Sequence, residues 1–149
     1  MNWLYNGKEI TDISQFPSNT FGFIYEVITP EGKKYVGKKV LYHNQKKKLT
    51  KVELAEQTGR GRRTSYKIVQ KESDWKKYIG SNAKLKRQIT EGEVTKEDLK
   101  KQILEIAFNK KHLTYLETKH LFQMEVLENP DEYLNDNILG KFFTSDFDS

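Results

Sequence analysis

Apolar and polar residues alternate most regularly between Phe21 and Val40. Phe23, Tyr25 and Val27 fall on one side of an extended chain and Ile24, Glu26 and Ile28 on the other, the period-two pattern of a strand with apolar residues on both faces. Such a strand belongs inside a sheet. Thr29-Pro30-Glu31-Gly32 supplies a proline with fixed φ and a glycine at the exit of a turn, so Lys34 to Val40 is predicted to return antiparallel. On that second strand Tyr35, Gly37 and Lys39 share one face, and Val36, Lys38 and Val40 the other, because side chains alternate. Tyr25 and Tyr35 therefore meet across one hairpin with Lys39 beside them.

The pattern continues on both sides of this hairpin. Trp3-Leu4-Tyr5, Asn6-Gly7 and Lys8-Glu9-Ile10 carry the signal of a type I′ hairpin within residues 1–20, with Trp3 and Tyr5 as packing residues. Lys101 to Phe108 is predicted as a third strand, with Leu104, Ile106 and Phe108 on its apolar face. Ser81 is a natural N-cap for a short helix at Ala83 to Thr90 that buries Leu85 and Ile89 and stops at Gly92. A second helix, His112 to Leu127 with its body around Tyr115 to Leu127, carries the stripe Leu113, Leu116, His120, Met124 and Leu127 and ends before Pro130. Thr50 and Glu53 fit a capping box of a short helix inside a basic insertion, residues 41–74. The expected fold is a single α+β domain spanning residues 1–149. It has a three-stranded, mainly antiparallel sheet flanked by helices, with the N-terminal hairpin extending or covering one edge.

Charge sharpens this picture. The net charge is +5, yet Lys33 to Arg87 holds 18 of the 26 basic residues and only four of the 21 acidic ones. An asymmetry of this size suits a polyanion, whose neutralised phosphates release counterions; the competing reading is a solvated lysine-rich surface. With no cysteine there are neither disulfides nor thiolate metal sites, and no apolar run approaches the ~20 residues of a membrane span. A soluble, intracellular location is expected, and an anionic membrane would require an amphipathic helix that the pattern lacks.

Phe23-Ile24-Tyr25 after Gly22, the turn Glu31-Gly32-Lys33 and Tyr35-Val36-Gly37 together resemble the paired triplets of the GIY-YIG nucleases. The likeness is nearest to small phage-type members, often freestanding homing endonucleases, and covers Phe21 to Asn137. Ser73 to Ser81 also resembles a phage-type segment ending in Tyr-x-Gly-Ser. Tyr78-Ile79-Gly80 spells the second triplet literally, but Tyr35 lies ten residues after Tyr25 and fits the hairpin.

The resemblance implies an endonuclease that hydrolyses phosphodiester bonds of duplex DNA with Mg²⁺ or Mn²⁺. Tyr25 would act as general base or position the water, and Tyr35 would orient it. As base, Tyr25 would need a lowered pKa or a relay, since free tyrosine titrates near ~10. Glu117, in Tyr115-Leu116-Glu117, matches the single metal-binding glutamate. The same residue also completes a capping box with Thr114, so a purely structural role competes. Lys39 stands where phage-type members often have histidine, and could stabilise phosphoryl charge. The usual helix arginine is replaced by Gln88, so that Arg87 or another cation such as Lys39 would supply the charge, or activity is reduced and the chain is a catalytically impaired nucleic-acid-binding module on the same scaffold. Asn135, in Tyr133-Leu134-Asn135, matches a late asparagine, with Asn137 as the register-shifted alternative. Lys38, Lys46, Lys47, Lys48, Arg60, Arg62, Arg63, Lys76 and Lys84 are the expected phosphate contacts. His43, His112 and His120 have no ligand spacing and are read as structural or surface residues. One lean domain without an appended reader is expected to have limited sequence specificity, or specificity gained by forming a homodimer or from the basic insertion.

Overall fold

The computed structural model describes residues 1–57 and 65–147. In chain order its first strands are β1 (Trp3–Tyr5), β2 (Lys8–Ile10), β3 (Gly22–Ile28), β4 (Lys34–Val40) and β5 (Tyr42–Lys48). Helix α1 (Lys51–Ala55), β6 (Tyr66–Glu72), α2 (Ala83–Thr90), β7 (Lys100–Ala107) and α3 (Lys110–Gln123) follow, then two-residue strands β8 (Asn137–Ile138) and β9 (Phe142–Phe143). They form two compact units: residues 1–41 with 74–147, and residues 42–73. No described helix is long and apolar enough to cross a membrane.

The larger unit is built on a five-stranded mixed sheet of order β2-β1-β7-β3-β4. The expected three antiparallel strands lie at its centre and one edge, but the expected sheet of three strands is too small. Asn6 and Gly7 both adopt positive φ, as the type I′ turn demands. The hairpin they close then lays β1 parallel along β7. A lone hairpin is marginal in water and β7 would otherwise present an open edge, so joining the sheet satisfies both.

One irregularity resets the pattern of β7. Ile24 pairs with Glu105 and Tyr25 with Ile103, leaving Leu104 unopposed. This extra residue shifts the side-chain alternation beyond it. Ile103 and Ile106 consequently both oppose residues of the Tyr25 face, Tyr25 and Phe23. Phe108, expected on the apolar face, lies past the strand end, exposed and stacked on His112.

Each face of the sheet has its own core. On one, Ile24, Val36 and Ala107 pack with Leu113, Leu116 and Leu121 of α3. The other is aromatic: Trp3, Phe23, Tyr25 and Trp75 are all buried to within 1%, and Trp3 meets both Phe23 and Tyr25 edge-on. Such pairs contribute roughly 0.5–1.5 kcal/mol each beyond the area they bury.

Both helix starts differ from expectation. Helix α2 is capped by Asn82, whose side chain accepts the Leu85 N–H at 3.0 Å, not by Ser81. Helix α3 begins at Lys110, two residues ahead of the expected His112: Asn109 is its N-cap, accepting the His112 N–H at 2.8 Å. Thr114 and Glu117 therefore lie inside the helix, and Thr114 Oγ1 donates to the Lys110 carbonyl. The capping reading of Glu117 is thereby removed.

The smaller unit is a ribbon of β5 and β6 paired antiparallel over seven positions. Thr50 and Glu53 form the expected capping box of α1. Arg60, Arg62 and Arg63 lie outside the described residues.

Candidate active site

The strand alternation that defined the central hairpin also fixes its tyrosines. In the β3–β4 register Tyr25 opposes Gly37, Val27 opposes Tyr35 and Phe23 opposes Lys39. Tyr25 and Tyr35 share one face with ring centroids 6.2 Å apart. Gly37 leaves the space that the Tyr25 phenol fills. Gly80 does the same from the other side: at φ +104° its hydrogen faces the Tyr35 ring, and a Cβ would stand 3.1 Å from it.

A cleft of about 280 Å³ opens beside these residues, lined by Tyr35, Ser81, Asn82, Glu117, Asn135 and Asp136 among others. Tyr35 Oη lies 3.2 Å from Ser81 Oγ. Freed from capping α2, the serine hydroxyl partners the tyrosine instead.

Glu117 reaches the cleft from α3. Burial pushes its carboxyl above the ordinary carboxylate range, opposed by the positive charge of Lys38. Lys38 Nζ stands 4.0 Å from Glu117 Oε1 and donates to Thr114 Oγ1 at 3.2 Å. The Glu117 charge also acts on both phenols.

Burial pushes the Tyr25 phenol far above its ordinary value, reinforced by the neighbouring Tyr35 and Tyr78 and by a hydrogen bond with Tyr78. Tyr35 is raised as well, chiefly by burial and partly offset by its hydrogen bond with Ser81. Neither tyrosine is poised as a phenolate, so the lowered pKa that a tyrosine base would need is opposed by its surroundings.

Lys39 lies on the tyrosine face. Its Nζ sits 4.0 Å from the centre of the Tyr78 ring and pairs with Asp74 Oδ1 at 2.6 Å. Arg87 is exposed on α2 and does not line this cleft, whereas Gln88 is half-buried. Lys84 is exposed on the same helix, and Lys76 stands 3.9 Å from Asp12. Lys46, Lys47 and Lys48 are exposed on β5.

Asn135 is buried, and its amide pairs with the backbone of β4. Oδ1 accepts the Val36 N–H at 3.0 Å and Nδ2 donates to the Val36 carbonyl at 2.8 Å. The adjoining chain continues this ladder, with Lys34 N–H to Glu132 O and Leu134 N–H to Lys34 O. A side-chain amide thus completes a short strand edge that the backbone begins. Asn137, the alternative, is exposed, and its Oδ1 accepts the Gly140 N–H.

Two residues here carried no weight in the sequence. Tyr78 packs edge-on against Tyr25 at 5.8 Å; its motif-like Tyr78-Ile79-Gly80 was a signal that it stands near the hairpin tyrosines. Lys101 is buried, donating to the carbonyls of Lys76 and Tyr78 at 3.0 Å each, 4.4 Å from the Trp3 ring. Nothing local in a strand distinguishes such a lysine from an exposed one.

Among the described residues no group of three or more His, Asp and Glu side chains is arranged to hold a metal ion by itself. Glu117, with Asp136 in the lining of the same polar, open cleft, does suit Mg²⁺, which keeps several waters and takes one or two carboxylates together with substrate phosphate.

The hairpin carries its two tyrosines on one face with a glycine beneath the first, and Glu117 lines a cleft with the second, an arrangement compatible with a GIY-YIG domain. The family model described as "Putative endonuclease segE, GIY-YIG domain" matches residues 3–138, and the chain belongs to that family. No curated protein and no solved structure matches the chain.

Proposed function

We propose that this chain is a metal-dependent endonuclease that hydrolyses phosphodiester bonds of duplex DNA, of the phage or mobile-element type. The observation that carries this reading is the shared cleft. Tyr35 and Glu117 come from opposite faces of the sheet yet line the same opening, and the Glu117 charge acts on Tyr25.

In this reading Glu117 holds Mg²⁺ or Mn²⁺, which when bound neutralises charge on the scissile phosphate. Tyr25 stays protonated, so its hydroxyl aligns the attacking water by hydrogen bonding. As the water oxygen bonds to phosphorus and the ester P–O bond breaks, the water proton passes through the Tyr35–Ser81 hydroxyl pair, whose serine is exposed, to solvent, and the departing alkoxide takes a proton from solvent water to leave as the alcohol. Lys39 and Lys38 flank the site from the two faces of β4 and balance phosphoryl charge, a task that the exposed Arg87 does not share. Asn135 acts as a positioning residue, holding Val36 and with it Tyr35.

The absence of arginine at Gln88 favours one second reading, a DNA-binding module on the same scaffold with impaired chemistry. Nicking of a supercoiled plasmid separates the two. Conversion that requires Mg²⁺ or Mn²⁺ and stops with EDTA supports the nuclease. A salt-sensitive gel shift without conversion in either metal overturns it in favour of the binding module.

A further inference from the structure

We infer that the β5–β6 ribbon enters the major groove of duplex DNA and reads base edges there, with Asn44 and Gln70 as the sequence-determining pair. The inference rests on the DNA-acting reading above and adds the feature of the substrate that would be recognised.

The argument starts from register. Asn44 pairs with Gln70, Lys46 with Ile68 and Lys48 with Tyr66. These six side chains share one face of the ribbon with the Tyr42–Glu72 pair at its base, where Tyr42 is half-buried, because cross-strand partners project to the same side and alternate along the strand. All six are exposed, Ile68 at 69% and Tyr66 at 53%. The opposite face differs: Val69 is half-buried and Lys67 pairs with Glu53 of α1. The first face is thus open from Asn44 to Lys48 and from Tyr66 to Gln70, whereas Lys67 on the second is engaged by the helix.

The chemistry of the open face suits a base edge better than any other partner. The major groove admits a two-stranded β-ribbon, and asparagine or glutamine bonds bidentately to adenine N6 and N7. Neither the Asn44 nor the Gln70 side chain makes a hydrogen bond among the described residues. Ile68 beside them offers apolar contact of the kind a thymine methyl accepts. Residues 42–73 carry nine lysines and arginines against three glutamates, the complement of phosphates flanking a groove. An acidic protein would not call for a pair of exposed amides on the face, and a membrane would not call for a polar pair beside a single isoleucine. A bare ribbon is marginally stable in water, so docking also supplies the burial it lacks.

The test uses the full chain and a randomised duplex library in two arms: sequencing of cut ends in Mg²⁺, and sequencing of the protein-bound fraction in EDTA. Enrichment of A·T pairs at fixed positions is expected, falling roughly tenfold or more at those positions in the Asn44→Ala/Gln70→Ala double variant. Replacing the preferred adenine with 7-deazaadenine, which lacks the N7 acceptor, should reproduce the loss with wild-type protein. Both side chains are exposed, so the substitutions leave the core untouched. Equal enrichment in wild type and double variant, or cutting without base preference, overturns the inference while leaving the nuclease intact. Enrichment in the bound fraction without cutting upholds the inference and overturns the nuclease. No binding to duplex at low salt overturns both.

Discussion

A Cβ at Gly37 would stand 2.5 Å from the hydroxyl of Tyr25, so the glycine of the second strand exists to make room for the tyrosine of the first. Its own φ is not in the left-handed region; space, not backbone freedom, demands it. Gly37→Ala is expected to push the Tyr25 ring aside, at the roughly 1–3 kcal/mol typical of overpacking a tight site. Cleavage should fall at least a hundredfold, with DNA affinity retained. Melting temperature, plasmid nicking and a gel shift measure all three, and near-normal cleavage would mean that the Tyr25 position is unimportant to the reaction.

Asn135 gives a second expectation. Its amide donates to and accepts from one peptide unit, a task that aspartate can only half perform. Asn135→Asp keeps an acceptor for the Val36 N–H but loses the donor to the carbonyl, and leaves a buried polar group unmatched at about 1–3 kcal/mol. Asn135→Ala loses both. Urea unfolding should rank wild type above both variants, and cleavage should decline as β4 loosens. Unchanged stability with lost cleavage would instead make Asn135 a direct participant in the chemistry.

How much of this could be read along the chain follows from the range of each interaction. The β3–β4 hairpin, its register and the Asn6-Gly7 turn were legible because alternation and turn residues are local. The parallel pairing of β1 with β7 joins residues nearly a hundred positions apart and leaves no mark on either segment. Ser81 and Asn82 are both good N-caps, and only the requirement that Ser81 partner Tyr35 decides between them. Helix α3 opens on Lys110 and Lys111, polar residues without apolar period, so the visible stripe began late and made Thr114 resemble a cap. Within the site, the tyrosines were marked by strand alternation, and Glu117 by the family resemblance. Lys101 was hidden, because its partners are two backbone carbonyls and an aromatic ring.

That lysine supplies a pH dependence. Burial lowers its pKa from 10.5 to about 8, so between these values the unfolded chain binds the extra proton and stability contributed at this position rises with pH. The penalty is present in full below pH 8 and vanishes above 10.5; a shift of this size corresponds to roughly 3 kcal/mol. The comparison must be made against Lys101→Met, which cancels other titrations such as that of Tyr25. The stability of wild type relative to the variant should climb across pH 8 to 10.5 in urea unfolding. A flat difference would place the ammonium in a better solvated setting. Since Lys101 also holds the carbonyls of Lys76 and Tyr78, Lys101→Met should slow cleavage by loosening Tyr78 behind Tyr25.

Glu117 makes the most discriminating case, since its helix position removes capping as an explanation. Its carboxyl is raised by burial. The folded form therefore holds a proton more tightly than the unfolded chain, and its ionisation weakens the fold as pH rises from 4.5 through the folded pKa. At neutral pH Glu117→Gln relieves that penalty, apart from the loss of the Lys38 contact at 4.0 Å. The melting temperature of Glu117→Gln without metal should thus equal or exceed that of wild type, and affinity for DNA in EDTA should hold or improve as one repulsive charge disappears. Cleavage should be abolished at every Mg²⁺ and Mn²⁺ concentration, and the rise in melting temperature that saturating metal gives wild type should be absent, because only the folded carboxylate binds it. A variant that cleaves normally would remove Glu117 from the site. One that melts well below wild type would give the carboxylate a structural role that its half-buried position and single distant cation do not account for.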